Sequence, residues 1–103
     1  MKVIYLCAPR DAPMEKINTY TRYVLDQGTA PMVSHYYALS IEDENIIRDC
    51  GIELIWKCDE LWVMGNDTTE DMRSEIQRAK TLNIPIRYIS EKDIEPKKRR
   101  KKR

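Results

Sequence analysis

The sequence predicts an α/β domain with a small parallel sheet of four to five strands and helices on both faces. Short apolar runs rich in strand-forming residues alternate with segments whose apolar residues recur at helical spacing. The connections between them are short, and the order β-α-β-α-β-α-β is the one that builds a parallel sheet covered by helices. Such an arrangement is flavodoxin-like or Rossmann-like.

Four short apolar segments are the predicted strands. Residues 3–8 (VIYLCA) and 61–64 (LWVM) are continuous apolar runs, as expected of strands buried on both faces of a sheet. Residues 30–34 (APMVS) are predicted as the second strand in chain order. Residues 84–89 (IPIRYI) are predicted as the fourth.

Three amphipathic helices are predicted between these strands. The first covers residues 14–27. The second covers residues 40–57, with Ser40 as its N-cap and acidic residues in its first turn. The third begins after Thr68 or Thr69 and ends before the proline-led fourth strand. Its apolar stripe consists of Met72, Ile76, Ala79 and Leu82.

The distribution of charge predicts one domain followed by a tail. The 103 residues contain 18 Lys and Arg against 17 Asp and Glu, for a net charge of +1, but residues 97–103 (KKRRKKR) supply seven of the positive charges. Residues 1–96 therefore carry 11 positive against 17 negative charges, a net charge of −6. A block of like charges repels itself and buries no apolar surface, so we expect 97–103 to be disordered.

The tail has several interpretations. Its lysines and arginines could contact nucleic acid weakly and without sequence specificity, because neutralised phosphates release counterions. It could instead serve solubility or localisation, or dock on the acidic body of a neighbouring chain. A flexible, solvated end is the simplest interpretation.

Several classes of protein are disfavoured by missing patterns. Three cysteines are an odd number and show no CxxC spacing, which argues against a disulfide framework or a zinc site. GxGxxG, GxxxxGK[ST], GxSxG and HExxH motifs are all absent. The N-terminal apolar run is too short for a signal peptide, and no run approaches the ~20 residues that cross a bilayer. We therefore expect a cytoplasmic protein with no metal, cofactor or membrane partner.

A ligand site is expected where the parallel strands end. In open parallel sheets, ligands bind at the carboxyl ends of the strands near the point where the strand order reverses. The loop after the third strand also runs into a helix N-terminus, which favours an anion such as phosphate, although Glu70 and Asp71 bring negative charge to that end. The candidate ligand-binding residues in the three loops are Arg10, Asp11, His35, Asn66, Thr68 and Thr69.

Three segments carry motifs of a known family. They are VIYLCAPR (3–10), APMVSHYYAL (30–39) and residues 51–89, where CDELWV, a glycine and M-x-x-E-I-x-x-A precede a proline-led strand. These segments resemble the small, poorly characterised members of the nucleoside 2-deoxyribosyltransferase-like family. The resemblance implies an enzyme that hydrolyses or transfers an N-glycosidic bond, with a nucleoside or nucleotide as its ligand.

The resemblance also implies roles for individual residues. In that family a glutamate on the helix after the third strand attacks the anomeric carbon, and Glu75 is in the matching position. A tyrosine on the first strand orients this nucleophile, and Tyr5 aligns with it. In related nucleotide hydrolases a hydroxyl at the helix mouth binds the 5′-phosphate, which matches Thr69. Arg10 and Asn66 would also hold sugar or phosphate.

Three positions depart from the family pattern. Asp71 stands where the family usually has glycine, and Arg73 stands where a small residue is common. An aspartate of the preceding helix assists with the base in the enzymes, and its closest match here is Gly51. These departures favour an alternative, a nucleotide-binding or protein-interaction module that kept the fold without the chemistry.

The small size of the domain predicts self-association. A core of about 90 residues buries a limited share of its surface, and Trp56 and Trp62 add apolar area that one thin sheet does not fully cover. We therefore expect a homodimer or a larger homo-oligomer. In the family that the sequence resembles, subunits complete each other's sites.

Overall fold

The computed structural model of the chain describes residues 1–95. It contains one four-stranded sheet in which every strand is parallel to its neighbours, in the order β2-β1-β3-β4. The strands are β1 (Val3–Cys7), β2 (Ala30–Met32), β3 (Glu60–Met64) and β4 (Ile86–Ile89). The predicted α/β class with a small parallel sheet is confirmed.

Helices cover the sheet on both faces. The α-helices are α1 (Met14–Asp26), α2 (Glu44–Leu54), α3 (Glu70–Thr81) and α4 (Glu91–Ile94). Two 3₁₀ helices, Ser34–Leu39 and Ile55–Lys57, precede and follow α2. In the part of the chain that the structure describes, no helix is long and apolar enough to cross a membrane.

Alternation along β1 divides the core into two layers. Ile4 and Leu6 pack with residues of α1 and α4 on one face of the sheet, whereas Tyr5 and Cys7 pack with residues of α3 on the other. Successive side chains of a strand point to opposite faces, so this division follows directly from the sequence of β1. The alternation places Tyr5 on the α3 side.

The order of the strands reverses between β1 and β3. From β1 the chain passes through α1 to β2 on one side, and from β3 it passes through α3 to β4 on the other. The two central strands pair in parallel, for example Tyr5 with Leu61 and Cys7 with Val63. The loops that follow β1 and β3 therefore leave the sheet at the same edge, where ligands bind in this class of fold.

The second strand is shorter than predicted. The sequence predicts a strand over 30–34, but β2 ends at Met32 and a 3₁₀ helix follows. Pro31 offers no N–H group, which restricts the segment to the edge of the sheet. Beyond it, the chain turns inward because buried Ser34 and His35 bond to groups of β1 and of the loop that follows β1.

The predicted N-cap of the second helix is wrong. Asp43, not Ser40, caps α2, since its Oδ1 accepts from the backbone N–H of Asn45 at 3.0 Å and of Ile46 at 3.3 Å. Ser40 instead closes the preceding 3₁₀ helix through a bond from its N–H to the carbonyl of Tyr37. Asp43 is one of the acidic residues that were expected in the first turn of the helix, and it is instead the cap.

Removing the Asp43 cap is expected to destabilise the protein. Asp43→Ala deprives two backbone N–H groups of their acceptor, which lowers the free energy of unfolding by about 1 kcal/mol. Ser40→Ala is the matched control and should change it by less than about 0.5 kcal/mol. Urea denaturation of both variants measures the difference. Equal losses in the two variants would show that Asp43 is not the effective cap.

The two tryptophans have different environments. Trp62 is buried in the core, with the Arg87 guanidinium 4.7 Å from its ring centre. Trp56 is 53% exposed and contacts Lys57 across its ring. Ile46 of α2 is also exposed. The structure thus leaves Trp56 accessible for self-association, which stays a prediction. The predicted tail, 97–103, lies outside the described residues.

Candidate active site

Helix α3 positions a buried carboxylate below the carboxyl edge of the sheet. The helix begins where Thr69 accepts from the backbone N–H of Met72 at 3.4 Å. Glu75 lies one turn further along, on the buried face with Met72 and Ile76, and is 3% exposed. The i, i+3, i+4 spacing of the buried face of the helix therefore includes an ionisable side chain, that of Glu75.

Tyr5 is the closest partner of this carboxylate. Its hydroxyl donates to Oε2 of Glu75 at 2.8 Å, and the tyrosine is fully buried on β1. The hydroxyl of Ser34 lies 3.3 Å from that of Tyr5. Three elements, β1, α3 and the 3₁₀ helix after β2, thus meet at one buried polar cluster formed by Tyr5, Ser34 and Glu75.

Arg10 reaches the same cluster from the loop after β1. One guanidinium nitrogen lies 3.6 Å from Oε2 of Glu75, and another donates to Oγ of Ser34 at 3.4 Å. The side chain is 13% exposed, so it separates the carboxylate from solvent. Arg10, which was predicted to bind an anionic ligand, therefore contacts the Glu75 carboxyl group of the protein itself.

His35 holds the loop that carries Arg10. Its Nε2 lies 3.2 Å from the carbonyl of Ala8 and 3.0 Å from that of Pro9, so this nitrogen carries the proton and donates. Burial and the Arg10 guanidinium hold the pKa of His35 below its usual value. A neutral imidazole thus fixes the loop, and its buried Nδ1 atom has no hydrogen-bond partner within residues 1–95.

Burial dominates the electrostatics of Glu75. Loss of hydration raises the pKa of Glu75 to about 7, against the opposing effects of the Tyr5 hydroxyl, the Cys7 thiol and the Arg10 guanidinium. Burial also raises the pKa values of Tyr5 and Cys7 far above their usual ranges, so both stay protonated as donors. Near neutral pH, Glu75 therefore exchanges between its acid and its ionised form.

A cavity of about 470 Å³ opens at the same edge of the sheet. Its lining does not include Tyr5, Arg10 or Glu75. It includes residues of the loops after β1 and β3 and of helices α1 and α4, among them Asp11, Lys16, Tyr20, Asn66, Asp67 and Glu91. The predicted binding residues Asp11 and Asn66 thus line a space next to α1 and α4, whereas Glu75 lies on the α3 side of the sheet.

The other predicted binding residues have local roles. Thr69 is the N-cap of α3, while Thr68 is exposed and its carbonyl accepts from the Arg73 guanidinium at 3.3 Å. The two glutamates of α3 differ in exposure. Glu75 is buried beneath the helix, whereas Glu70 is exposed in its first turn, because the two face different sides of α3.

Two sets of polar residues were not predicted from the sequence. Ser34 bridges Tyr5 and Arg10. Its position at the end of the predicted second strand was the only feature of the sequence that pointed to this role. Glu91 accepts from the Tyr20 hydroxyl at 2.7 Å and lies 3.3 Å from Nζ of Lys16. The capping box of Ser90 and Asp93 could have revealed helix α4, but nothing local pairs Glu91 with a tyrosine 71 positions earlier.

Metal chemistry has no cluster to support it in residues 1–95. Within that range, no group of three or more His, Cys, Asp or Glu side chains is placed to hold a metal ion. The cysteines at positions 7, 50 and 58 are free. The chemistry available to the cluster is that of one buried carboxylate with a phenol, a hydroxyl and a guanidinium around it.

Comparison with known proteins supports the fold and gives the family. The structure is similar to that of a 2-deoxyribosyltransferase from the psychrotolerant bacterium Bacillus psychrosaccharolyticus, with a TM-score of 0.69 and 17% sequence identity over 85% of this chain and 72% of that chain. At this identity the similarity shows the fold alone. No curated protein matches the sequence. The family model described as "Domain of unknown function (DUF7768)" matches residues 2–89, and the chain therefore belongs to that family.

Proposed function

We propose that the protein is a nucleoside or nucleotide N-glycosidic-bond hydrolase or deoxyribosyltransferase with Glu75 as its nucleophile. One observation carries the proposal: Glu75 is buried at the carboxyl edge of the sheet, with the Tyr5 hydroxyl 2.8 Å from its carboxylate. The fold shared with a 2-deoxyribosyltransferase supports it, and so does the family resemblance of the sequence around these two residues.

The chemistry suits a buried carboxylate. The ionised Glu75 attacks the anomeric carbon, a C–O bond forms, and the C–N bond to the base breaks with its electron pair leaving on the base nitrogen. The transition state is oxocarbenium-like, so a nearby anion stabilises it. Water or a second base then attacks the same carbon and releases the carboxylate. Water gives hydrolysis, and a second base gives transfer.

Two neighbours of Glu75 favour its ionised, reactive form against the effect of burial. The Tyr5 hydroxyl and the Arg10 guanidinium both lower the pKa of Glu75 and so favour the anion that attacks. Because Arg10 also lies over the carboxylate, we infer that a bound sugar displaces the Arg10 side chain. Once released from Glu75, the guanidinium is free to contact the sugar or a phosphate, beside Asn66 and Thr69.

The direct test is release of free base from a panel of deoxynucleosides and their 5′-monophosphates. Incubation with each compound, with and without a second base, followed by chromatography, separates hydrolysis from transfer. We expect release of base from at least one compound by the wild-type protein and none by Glu75→Ala. Release at equal rates by both proteins, or by neither, would contradict the proposal.

A second candidate is a nucleotide-binding or protein-interaction module without catalysis. It is favoured by the Arg10 side chain, which covers Glu75, and by the cavity, which does not reach that carboxylate. In this case the Tyr5, Arg10 and Glu75 cluster would be a polar core contact, and ligands would bind beside Asp11 and Asn66. A rise in melting temperature with nucleosides or nucleotides, without turnover, identifies this alternative.

The proposal also covers the oligomeric state, the location and the domain division of the protein. We infer homo-oligomers, for which the exposed Trp56 offers an apolar contact. The three free cysteines fit a reducing, cytoplasmic location. We also propose that residues 1–96 form the domain and that 97–103 are a basic tail able to contact nucleic acid weakly.

A further inference from the structure

Helix α2 approaches Tyr5, the hydrogen-bond partner of Glu75, at a glycine. Gly51 is buried in this helix, and a Cβ atom built on its backbone lies 2.6 Å from the Tyr5 hydroxyl oxygen. The same atom lies 3.4 Å from both Cβ and Oγ of Ser34. Any other side chain at position 51 would therefore overlap the hydroxyl that donates to Glu75.

The tyrosine has little room to yield. It is fully buried on a central strand, and its rigid ring has only two side-chain torsions. Its hydroxyl is held 2.8 Å from Glu75 and 3.3 Å from Ser34, so a displacement of a few tenths of an ångström alters both contacts. Close-packed interiors transmit such a change instead of absorbing it.

We propose, building on the function proposed above, that Gly51 is a positioning residue that sets the Tyr5 hydroxyl against Glu75. The absence of a side chain at position 51 is then a requirement of this site. It also follows that a carboxylate cannot occupy this position while Tyr5 bonds to Glu75. The hydroxyls of Tyr5 and Ser34 occupy the space that a side chain at position 51 would need.

Helix propensity makes the opposite prediction, which gives a sharp test. In an exposed or loosely packed helix interior, Gly→Ala stabilises the helix. If the Tyr5 hydroxyl is what forbids a Cβ atom, the effect of Gly51→Ala must change sign when that oxygen is removed. Tyr5→Phe removes only this oxygen and leaves the ring in the core.

The experiment compares four proteins: wild type, Gly51→Ala, Tyr5→Phe and the double variant. We expect Gly51→Ala to lower the melting temperature by about 5 °C or more in the wild-type background, because overpacking destabilises a core. In the Tyr5→Phe background the same substitution should raise the melting temperature. An equal decrease in both backgrounds, or no decrease in either, would overturn the inference.

A second measurement separates positioning from packing alone. The Tyr5 hydroxyl helps to keep Glu75 ionised, so its displacement should raise the pH at which the Glu75 carboxylate titrates, followed by carbon NMR on labelled protein. Gly51→Ala and Tyr5→Phe should each give this rise, and the double variant should give no more than Tyr5→Phe alone. An unchanged Glu75 titration in Gly51→Ala would contradict the positioning role.

These results are independent of turnover. If both measurements succeed but no compound releases base, the Gly51 inference stands as a statement about the Tyr5 and Glu75 pair, and the proposed function fails. If base is released but the effect of Gly51→Ala does not change sign, the function stands and the inference fails.

Discussion

Replacing Glu75 with glutamine is expected to reduce base release by about 10⁴-fold or more while the protein stays folded. Glutamine has the volume of glutamate and still accepts from the Tyr5 hydroxyl, but its amide does not form the glycosyl ester. The binding contacts survive, so the loss should fall on kcat with little change in KM. Steady-state assays on the best compound of the panel measure it.

The control for this substitution is on the same helix. Glu70 is exposed in the first turn of α3, and Glu70→Gln removes one charge without touching the buried cluster. It should therefore keep most of the wild-type activity. A second control is rescue: Glu75→Ala leaves a space that formate can enter as an external carboxylate, and added formate should restore part of the rate. Comparable activity in wild type and Glu75→Gln would exclude Glu75 as the nucleophile.

The covalent intermediate offers a more direct observation. If Glu75 attacks the anomeric carbon, acid-quenched wild-type protein should carry one deoxyribosyl group on the peptide that contains Glu75. The same peptide from Glu75→Gln should be unmodified. Tryptic digestion and mass spectrometry distinguish the two, and a modification on any other residue would assign the nucleophile elsewhere.

The stability of Glu75→Gln relative to the wild type is expected to increase as the pH rises. Burial raises the pKa of Glu75 from its ordinary 4.5 to about 7 in the folded protein. Between these values the folded state binds more protons than the unfolded state, so the stability of the wild type falls as the pH rises through this range. The neutral amide of glutamine has no such dependence.

The expected size follows from the shift. From about pH 5 to about pH 8, the free energy of unfolding of Glu75→Gln should gain roughly 2–3 kcal/mol relative to the wild type. Taking the difference between the two proteins cancels the titration of other groups, including His35. Urea unfolding at several pH values measures the difference, and Glu70→Gln, which replaces an exposed side chain outside the buried cluster, is the matched control. A difference that stays constant with pH would show that Glu75 titrates at its ordinary value.

Local patterns predicted the framework of the fold because the framework depends on local chemistry. The continuous apolar runs favoured buried strands and became β1 and β3, and the spacing of Met72, Ile76 and Ala79 favoured one face of a helix. Where several polar residues stood together, local patterns were ambiguous. The predicted cap was Ser40, whereas the structure has Asp43, because Ser40 closes the 3₁₀ helix between β2 and α2.

The candidate site required contacts between distant parts of the chain. The sequence pointed to Glu75, Tyr5 and Arg10 through a family resemblance, and the structure brings these three side chains together. It did not point to Ser34, which joins two of them, because a serine at a strand end has many ordinary roles. Nor did it indicate that Arg10 would bond to Glu75 instead of facing an open site.

The distribution of charge is another feature that the sequence determines, whereas the surroundings of individual charged residues depend on the tertiary structure. The sequence alone determined that positive charge is concentrated in residues 97–103 and that residues 1–96 are acidic, because both follow from counting residues. It also determined the parallel α/β class, since hydrophobic periodicity specifies which elements form. Only the tertiary structure decided that Glu75 is buried against Tyr5, Arg10 and the bare backbone of Gly51. Burial and hydrogen bonding are set by the packing of β1, α2 and α3, which lie far apart in sequence, and no local pattern contains that information.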